Sequence, residues 1–583
     1  MVCHPEVSRT PAESLSGCRA VHGKMRNRVA SPEPMREHAG QEQILRSATL
    51  VSGAVLVSRV SGLVRETVMA HLFGAGRVFD AFSLGFRIPN LTRDLVAEGA
   101  LSSAFIPVFS EYLETKDKKE AVRLANLVGT AVILIVGIVC VLGVVGAPLL
   151  VRLLASAWAT ADPGKFDLAI RLTQTMFPFL LLVALAAQAM GILNACDRYG
   201  VPALASTVFN VGSVLFGVLL GFWLGPSLHI APIEGMAYGV VLGGLVQLLW
   251  QLPALKRAGF SFRPAIDWSH PGLRRIIRLM GPAIIGTAAV QVNVLVNTNF
   301  ATTIVDPVRG VNGPVGWLQY AFRFMQLPLG LFGVAIASAT LPSISRSAVA
   351  GNIDEFRKTL SDSLGMVFLL TVPSAIALVV LGDPMIAAIY QGHKFDSYDT
   401  HQTALALSCY AIGLTGYAAI KVLAPAFYAL GSARMPMLVS LGSILINYLA
   451  AYSLTRWTTL GHAGLALATS GVALFGAIVL FGVLRSRLGG IHGRRLLKST
   501  LKIALASIIM GVAIKASNIG FADWLGVSRL GRLTDLAVSI PVGAAVFWAV
   551  CSVVKVPELQ SAGRALIAPL VEGRRRQRGK IEQ

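Results

Sequence analysis

The sequence predicts an all-α polytopic membrane protein. It should have about 14 transmembrane helices, in two parallel six-helix lobes plus two C-terminal helices. Three observations carry this. Of 583 residues, 54% are hydrophobic and only 14% charged, against roughly 25% charged in soluble domains. The apolar runs are continuous over ~20 residues or more, whereas barrel strands would alternate over ~10. Landmarks of the first half also recur in the second, in the same order and at a near-constant spacing.

Residues 1–40 are polar and lack the apolar core of a signal peptide. They read as a cytoplasmic tail without fixed structure, and Met35 opens a natural shorter start. An N-lobe over 41–258 holds apolar spans near 46–72, 79–112, 122–153, 168–195, 201–224 and 233–255. A C-lobe over 259–490 holds 274–302, 314–345, 357–390, 401–430, 436–455 and 462–484. Residues 491–556 hold the last two spans, 499–518 and 533–555, and 557–583 form a basic cytoplasmic tail. Prolines such as Pro89, Pro107, Pro178, Pro328 and Pro342 interrupt several spans. Kinks there are tolerated where neighbours or water satisfy the freed carbonyls.

The connections sort by charge. "KDKKEAVR" (116–123), "KRAGFSFR" (256–263), "RSRLGGIHGRRLLK" (485–498) and the tail "GRRRQRGK" (573–580) are basic, while "GPSLHIAPIEG" (225–235) has no Lys or Arg. Basic connections lie on the cytoplasmic side. Even-numbered connections fall there throughout, so both termini should be cytoplasmic. The net charge of +21 follows from this bias and from attraction to anionic lipid. The basic residues are scattered between apolar segments, which argues against nucleic-acid binding.

In the first half, Phe86-Arg87, Pro107 and Pro202 follow one another; in the second, Phe322-Arg323, Pro342 and Pro436 do. The spacing of about 235 residues marks an internal duplication. Six helices per unit is an even number, so the repeats insert in the same orientation, as transporter lobes do.

The charged residues inside the spans are the functional candidates. "SRVSGLVRET" (58–67) places Arg59, Arg65 and Glu66 in the first span. The second carries Asp80, Arg87, Arg93, Asp94 and Glu98, and the second lobe adds Arg323. An arginine near a helix centre costs roughly 2.5–3.5 kcal/mol and usually faces a watery, protein-lined cavity. Arginine cannot shed its proton, and it pairs bidentately with phosphate oxygens. Ion pairing within the membrane, such as Arg93 with Glu98 or Arg65 with Glu66, is the competing reading. The number of arginines favours a cationic cavity for an anionic substrate. Gln291, Asn293, Asn297 and Asn299 form a polar stripe on the seventh span. It reads as interhelical hydrogen bonding, with a cation site as the alternative.

Six cysteines show no CxxC spacing, so neither a disulfide framework nor a metal ligand set is expected. No P-loop, HExxH or GxSxG motif occurs. No cofactor, no metal and no enzymatic activity are expected. The longest connections are also too short for a catalytic domain.

The stretches "SRVSGLVRE" (58–66), "FGAGRVFDAFSLGFRIPNLTRDLVAEGALSSAFIPVFSEY" (73–112) and "YAFRFMQLPLGLFGVAIASATLPSIS" (320–345) closely resemble the MurJ/MviN family. These are lipid II flippases of the MOP transporter superfamily. The resemblance runs from about residue 41 to 555. It implies translocation of undecaprenyl-diphosphate-linked disaccharide-pentapeptide from the cytoplasmic to the periplasmic leaflet, by alternating access. It implies location in the inner membrane, with lipid II and the phospholipid bilayer as partners. Contacts with cell-wall synthesis or division proteins are left open. It assigns the last two helices to a groove for the lipid tail. The family's cavity arginines fall on Arg59, Arg65, Arg93 and Arg323. Its other charged positions fall on Arg87, Asp80, Glu98 and Glu66, the last where relatives usually have Asp. Two departures stand out. Phe322 and Gln326 occupy positions that are often acidic in relatives, which leaves Arg323 without its local counter-charge. Asn297 replaces an acid found in some relatives, which weakens a sodium site there. A flippase for another lipid-linked oligosaccharide, or an ion-coupled exporter of the same superfamily, is the rival reading.

Overall fold

Nineteen helices follow one another among the described residues of the computed structural model, which are 34–95, 101–525 and 528–560. They are α1 Pro34–Phe73, α2 Arg77–Arg93, α3 Ser102–Thr115, α4 Lys118–Ala161, α5 Pro163–Met176, α6 Phe179–Ala195, α7 Gly200–Val218, α8 Gly225–Leu228 and α9 Pro232–Arg257. After them come α10 Pro271–Thr303, α11 Pro314–Pro328, α12 Val334–Val349, α13 Ile353–Val380, α14 Gly382–Tyr390, α15 Ser397–Ala429, α16 Arg434–Arg456, α17 Gly461–Arg487, α18 Gly493–Leu525 and α19 Arg529–Val553. Met1–Leu50 and Val51–Gln583 are separate units. The tail read over 1–40 meets the described residues only at 34–40, and there it is already helix.

Among the described residues, eleven helical stretches are long and apolar enough to cross a membrane, by length and composition. The count is twelve if Pro271–Ile284 and Thr287–Thr303, bent by 46°, make one span. The chain is therefore an all-helical, multi-pass membrane protein. The expected spans outside this set are α1 and the α2–α3 pair, which carry Arg59, Arg65, Glu66, Arg87 and Arg93.

Several apolar runs are broken at the prolines and glycine that interrupt them. The run 168–195 divides into α5 and α6 at Phe177-Pro178. The run 314–345 passes through a wider π turn at Leu329–Gly333, just after Pro328. Proline lacks the N–H that the regular ladder needs, so the register widens there. The run 357–390 ends one helix at Val380 and starts another at Gly382. Starts are capped locally. Asp162 accepts the Lys165 N–H at 3.0 Å with Pro163 in the first turn, and Asn352, Asp396 and Ser528 cap α13, α15 and α19.

Packing follows small residues. On α9, Gly235, Gly239 and Gly243 recur every four positions; Gly239 and Gly243 face α7, and Gly235 faces the π turn Leu219–Trp223 that follows α7. A Cβ at Gly239 would lie 2.6 Å from Gly217 Cα, and one at Gly243 would lie 2.8 Å from the Ser213 nitrogen. Only glycine permits this backbone approach, which is how helices associate without a hydrophobic drive in lipid. Gly239→Val is therefore expected to push α7 from α9, at a cost of ~3 kcal/mol. Its check is a lower thermal midpoint in detergent, beside an unchanged Gly53→Val control, where nothing lies within 4 Å.

Helices α2, α4, α5, α6, α7 and α9 pack on one another, and α11 to α17 do likewise. Helices α18 and α19 pair and lie against α13 and α14. Helix α10 belongs to neither group alone: it touches α3 and α4 of the first half and α16 of the second. Its polar stripe makes interhelical bonds. Asn293 donates to Ser443 Oγ at 3.0 Å, Asn297 to Thr469 Oγ1 at 2.9 Å, and Asn447 to Asn297 Oδ1 at 2.9 Å. Asn299 and Thr302 donate to the Leu154 carbonyl on α4. The repeat landmarks fall at matching places. Arg87 and Arg323 lie inside α2 and α11, and Pro202 and Pro436 are each the third residue of α7 and α16.

Candidate substrate cavity

A small recess opens where the two halves meet. Arg65 and Glu66 of α1, Phe82 and Phe86 of α2, Ser213 of α7 and Gln319 of α11 line it. Helix α1 reaches the second half because Gly62 lacks a side chain. A Cβ there would lie 3.1 Å from Arg323 Nη2. Asn210 of α7 supports the same turn, donating to Ser61 Oγ at 3.1 Å and to the Ser58 carbonyl at 3.3 Å.

The two adjacent charges of α1 have different fates. Glu66 is buried and pairs with Arg323 of α11 at 2.9 Å, while Tyr390 donates to its other oxygen at 3.5 Å. Arg323 has no acid at positions 322 and 326, as the sequence shows; its counter-charge comes instead from Glu66, in the other half of the chain. The Arg65–Glu66 pairing is not made. Among the described residues Arg65 has no carboxylate partner; its guanidinium lies 5.6 Å from the Phe86 ring and 5.5 Å from the Phe209 ring. Aromatic faces hold a cation by ~0.5–2 kcal/mol without spending its hydrogen-bond donors.

The two repeat-related arginines each reach across the junction. Arg87 of α2 donates to Thr298 Oγ1 on α10 at 2.8 Å and to Gln319 Oε1 on α11 at 3.4 Å. Arg323 of α11 reaches α1. Arg59 donates to the Gln326 carbonyl at 3.2 Å, its guanidinium lying against Gly330. Arg93 pairs with its neighbour Asp94 at 2.8 Å. Glu98 lies outside the described residues, so the Arg93–Glu98 pairing does too.

Asp80 is fully buried and stands apart from this recess. Its carboxylate takes Lys165 Nζ at 2.8 Å and the amides of Gly313 and Gly316 at 2.7 and 2.8 Å. Lys165 escaped the sequence reading because it lies three residues before the apolar run 168–195 and looks like a flanking charge. The available signal was Asp80 itself: a carboxylate inside "VFDAF" needs a cation starting a span from the same side, and α5 is such a span. Tyr390 and Asn210 carried no sequence signal. Among the described residues no cluster of three metal-ligating side chains occurs, and Cys140, Cys196, Cys409 and Cys551 are free.

The family model described as "Lipid II flippase MurJ" matches residues 69–533. The chain belongs to this family. The lipid II flippase MurJ of Burkholderia cenocepacia is 33% identical over 513 residues, covering 87% of this chain and 96% of that protein. The probable lipid II flippase MurJ of Vibrio cholerae is 34% identical over 525 residues, covering 88% and 97%. A solved structure of lipid II flippase MurJ in an inward closed conformation shares the fold, with a TM-score of 0.69 at 24% identity. It covers 87% of this chain and 98% of that one. The MurJ match spans both halves of the chain and includes Arg87, Arg93 and Arg323. Arg59, Arg65 and Glu66 precede it by a few residues.

Proposed function

We propose that this protein is a lipid II flippase of the inner membrane, carrying the undecaprenyl-diphosphate-linked precursor from the cytoplasmic to the periplasmic leaflet by alternating access. The observation that carries the chemistry is Arg65: a cation facing the recess with no carboxylate partner among the described residues, between halves joined by polar contacts. Family membership supports the substrate. A charged, sugar-bearing headgroup cannot cross hydrocarbon unaided, since each unpaired polar group costs several kcal/mol there. A hydrated cationic recess removes that cost while the isoprenoid stays in lipid.

In this reading 14 helices cross the membrane, with 41–258 and 259–490 as the two lobes. The two C-terminal helices of 491–556 guide the lipid tail, and both termini are cytoplasmic. The pairing of α18 with α19 and their docking on α13 and α14 support the lateral placement. Arg65 and Arg87 take the diphosphate; Arg59, Arg93 and Arg323 shape the field around it. The protein performs transport without bond-making, so it needs no cofactor. The recess as it stands is far too small for the precursor's headgroup, so carrying the disaccharide-pentapeptide requires the halves to part and widen it.

The test is complementation of a bacterium depleted of its own lipid II flippase, with surface exposure of the precursor assayed by an added lipid II-degrading toxin. Growth together with toxin-accessible lipid II is the expected result. Membrane-inserted protein that gives neither growth nor exposure overturns the substrate assignment and favours another lipid-linked oligosaccharide.

A further inference from the structure

Lys165 is a fully buried lysine that the binding chemistry does not use. Its three N–H donors are all spent: on Asp80 Oδ2 at 2.8 Å, the Val311 carbonyl at 2.8 Å and Asn312 Oδ1 at 3.1 Å. The ammonium also sits 3.8 Å from the Trp158 ring. Asp80 is equally saturated by Lys165 and by the amides of Gly313 and Gly316, at the start of α11. A helix start favours an anion, which here is supplied from α2.

The partners divide unequally between the halves. Asp80, Trp158 and Lys165 belong to the first, on α2, α4 and α5, which pack together. Val311, Asn312, Gly313 and Gly316 belong to the second, at the turn into α11. The ion pair is thus internal to one half, while four hydrogen bonds cross to the other. Beside these bonds the halves meet through packed rings. Phe79 stacks on Tyr320 at 4.5 Å, and Tyr320 meets Tyr390 at 4.8 Å and donates to the Gly74 carbonyl at 3.1 Å. All of this lies where α1, α4 and α10 end.

We infer that Lys165 is the positioning residue that holds this end of the two halves shut. When the halves part, the lysine and aspartate leave together as a neutralised pair. Water then replaces only the four crossing bonds, and neither charge is stranded. The closed end can therefore be tight without becoming irreversible. The role rests on the alternating-access reading above, which needs one end closed while the other is open.

The experiment uses the full chain with its six cysteines replaced by alanine and one probe cysteine, Ala75→Cys. Ala75 is fully buried, and its Cα lies 3.3 Å from where a Gly316 Cβ would be. The rate of reaction with a charged, membrane-impermeant thiol reagent is measured on intact cells and on inside-out vesicles. Lys165→Met should raise the rate on intact cells at least tenfold and leave the vesicle rate unchanged. Asn312→Ala keeps the ion pair and removes one crossing bond. It should raise the rate about threefold, which keeps the test decisive if Lys165→Met fails to insert. Rates within twofold of the parent in inserted protein, or an equal rise from both sides as general loosening would give, overturn the proposal. A rise confined to inside-out vesicles upholds the closure by Lys165 and overturns the sidedness assigned under the proposed function.

Discussion

Arg65→Ala is expected to abolish rescue of a flippase-depleted strain while leaving the protein at its normal level in the membrane. Both halves of this expectation come from the same geometry. Arg65 is held by the faces of Phe86 and Phe209 and by no carboxylate among the described residues. Its removal strands no buried anion, so the fold loses only ring contacts of ~0.5–2 kcal/mol. The diphosphate, by contrast, loses a charge-assisted contact of about 3 kcal/mol, roughly a hundredfold in rate. Arg65→Lys keeps the charge but loses the planar fork, so it should recover activity only in part. Immunoblots of membranes beside growth curves provide the check. Growth of Arg65→Ala at the parent rate removes this residue from the substrate site.

Arg323→Ala is expected to do more damage of a different kind. Its loss leaves Glu66, 7% exposed, without its cation. Breaking one side of a buried pair costs ~3–5 kcal/mol, whereas replacing both partners with uncharged residues of similar volume is often near neutral. The thermal midpoint in detergent should therefore fall for Arg323→Met and for Glu66→Gln, and recover in the double variant. Transport should stay lost in the double variant, because the cation is still missing. Recovery of both stability and transport would show that Arg323 serves only to neutralise Glu66. Failure of the double variant to regain stability would show that the two charges are not coupled.

The helices were legible because each must hide its backbone from lipid within one continuous apolar run. Some breaks were signalled by prolines such as Pro178 and Pro328, and the turn between Val380 and Gly382 by Gly382-Asp383-Pro384, although hydropathy alone runs through them. The spacing of Arg87, Arg323, Pro202 and Pro436 was legible, and these residues fall at matching places in their helices. That each of these arginines reaches across to the opposite half was not. Pair formation depends on which helices meet, and nothing local to residue 323 names residue 66. Phe322 and Gln326 do leave Arg323 without an acid on its own helix, and only the approach of α1 to α11 supplies Glu66. The asparagines of α10 were read correctly as interhelical donors, because an amide inside a membrane needs a partner and neighbouring helices supply one. Asp80 was grouped with the substrate residues for its charge within a span and for the family resemblance, and only the packing of α2 on α5 brings Lys165 to it.

The pairing of Glu66 with Arg323 also bears on the order of synthesis. Glu66 enters the bilayer roughly 250 residues ahead of its cation, which at ~5–20 residues per second is tens of seconds. Asp80 waits a shorter time for Lys165. Throughout that interval the first helices carry carboxylates whose permanent partners do not yet exist. The nascent first half must shelter them by protonation, by borrowed arginines or by the insertion machinery. Handover to Arg323 then marks the moment at which the two halves become one molecule.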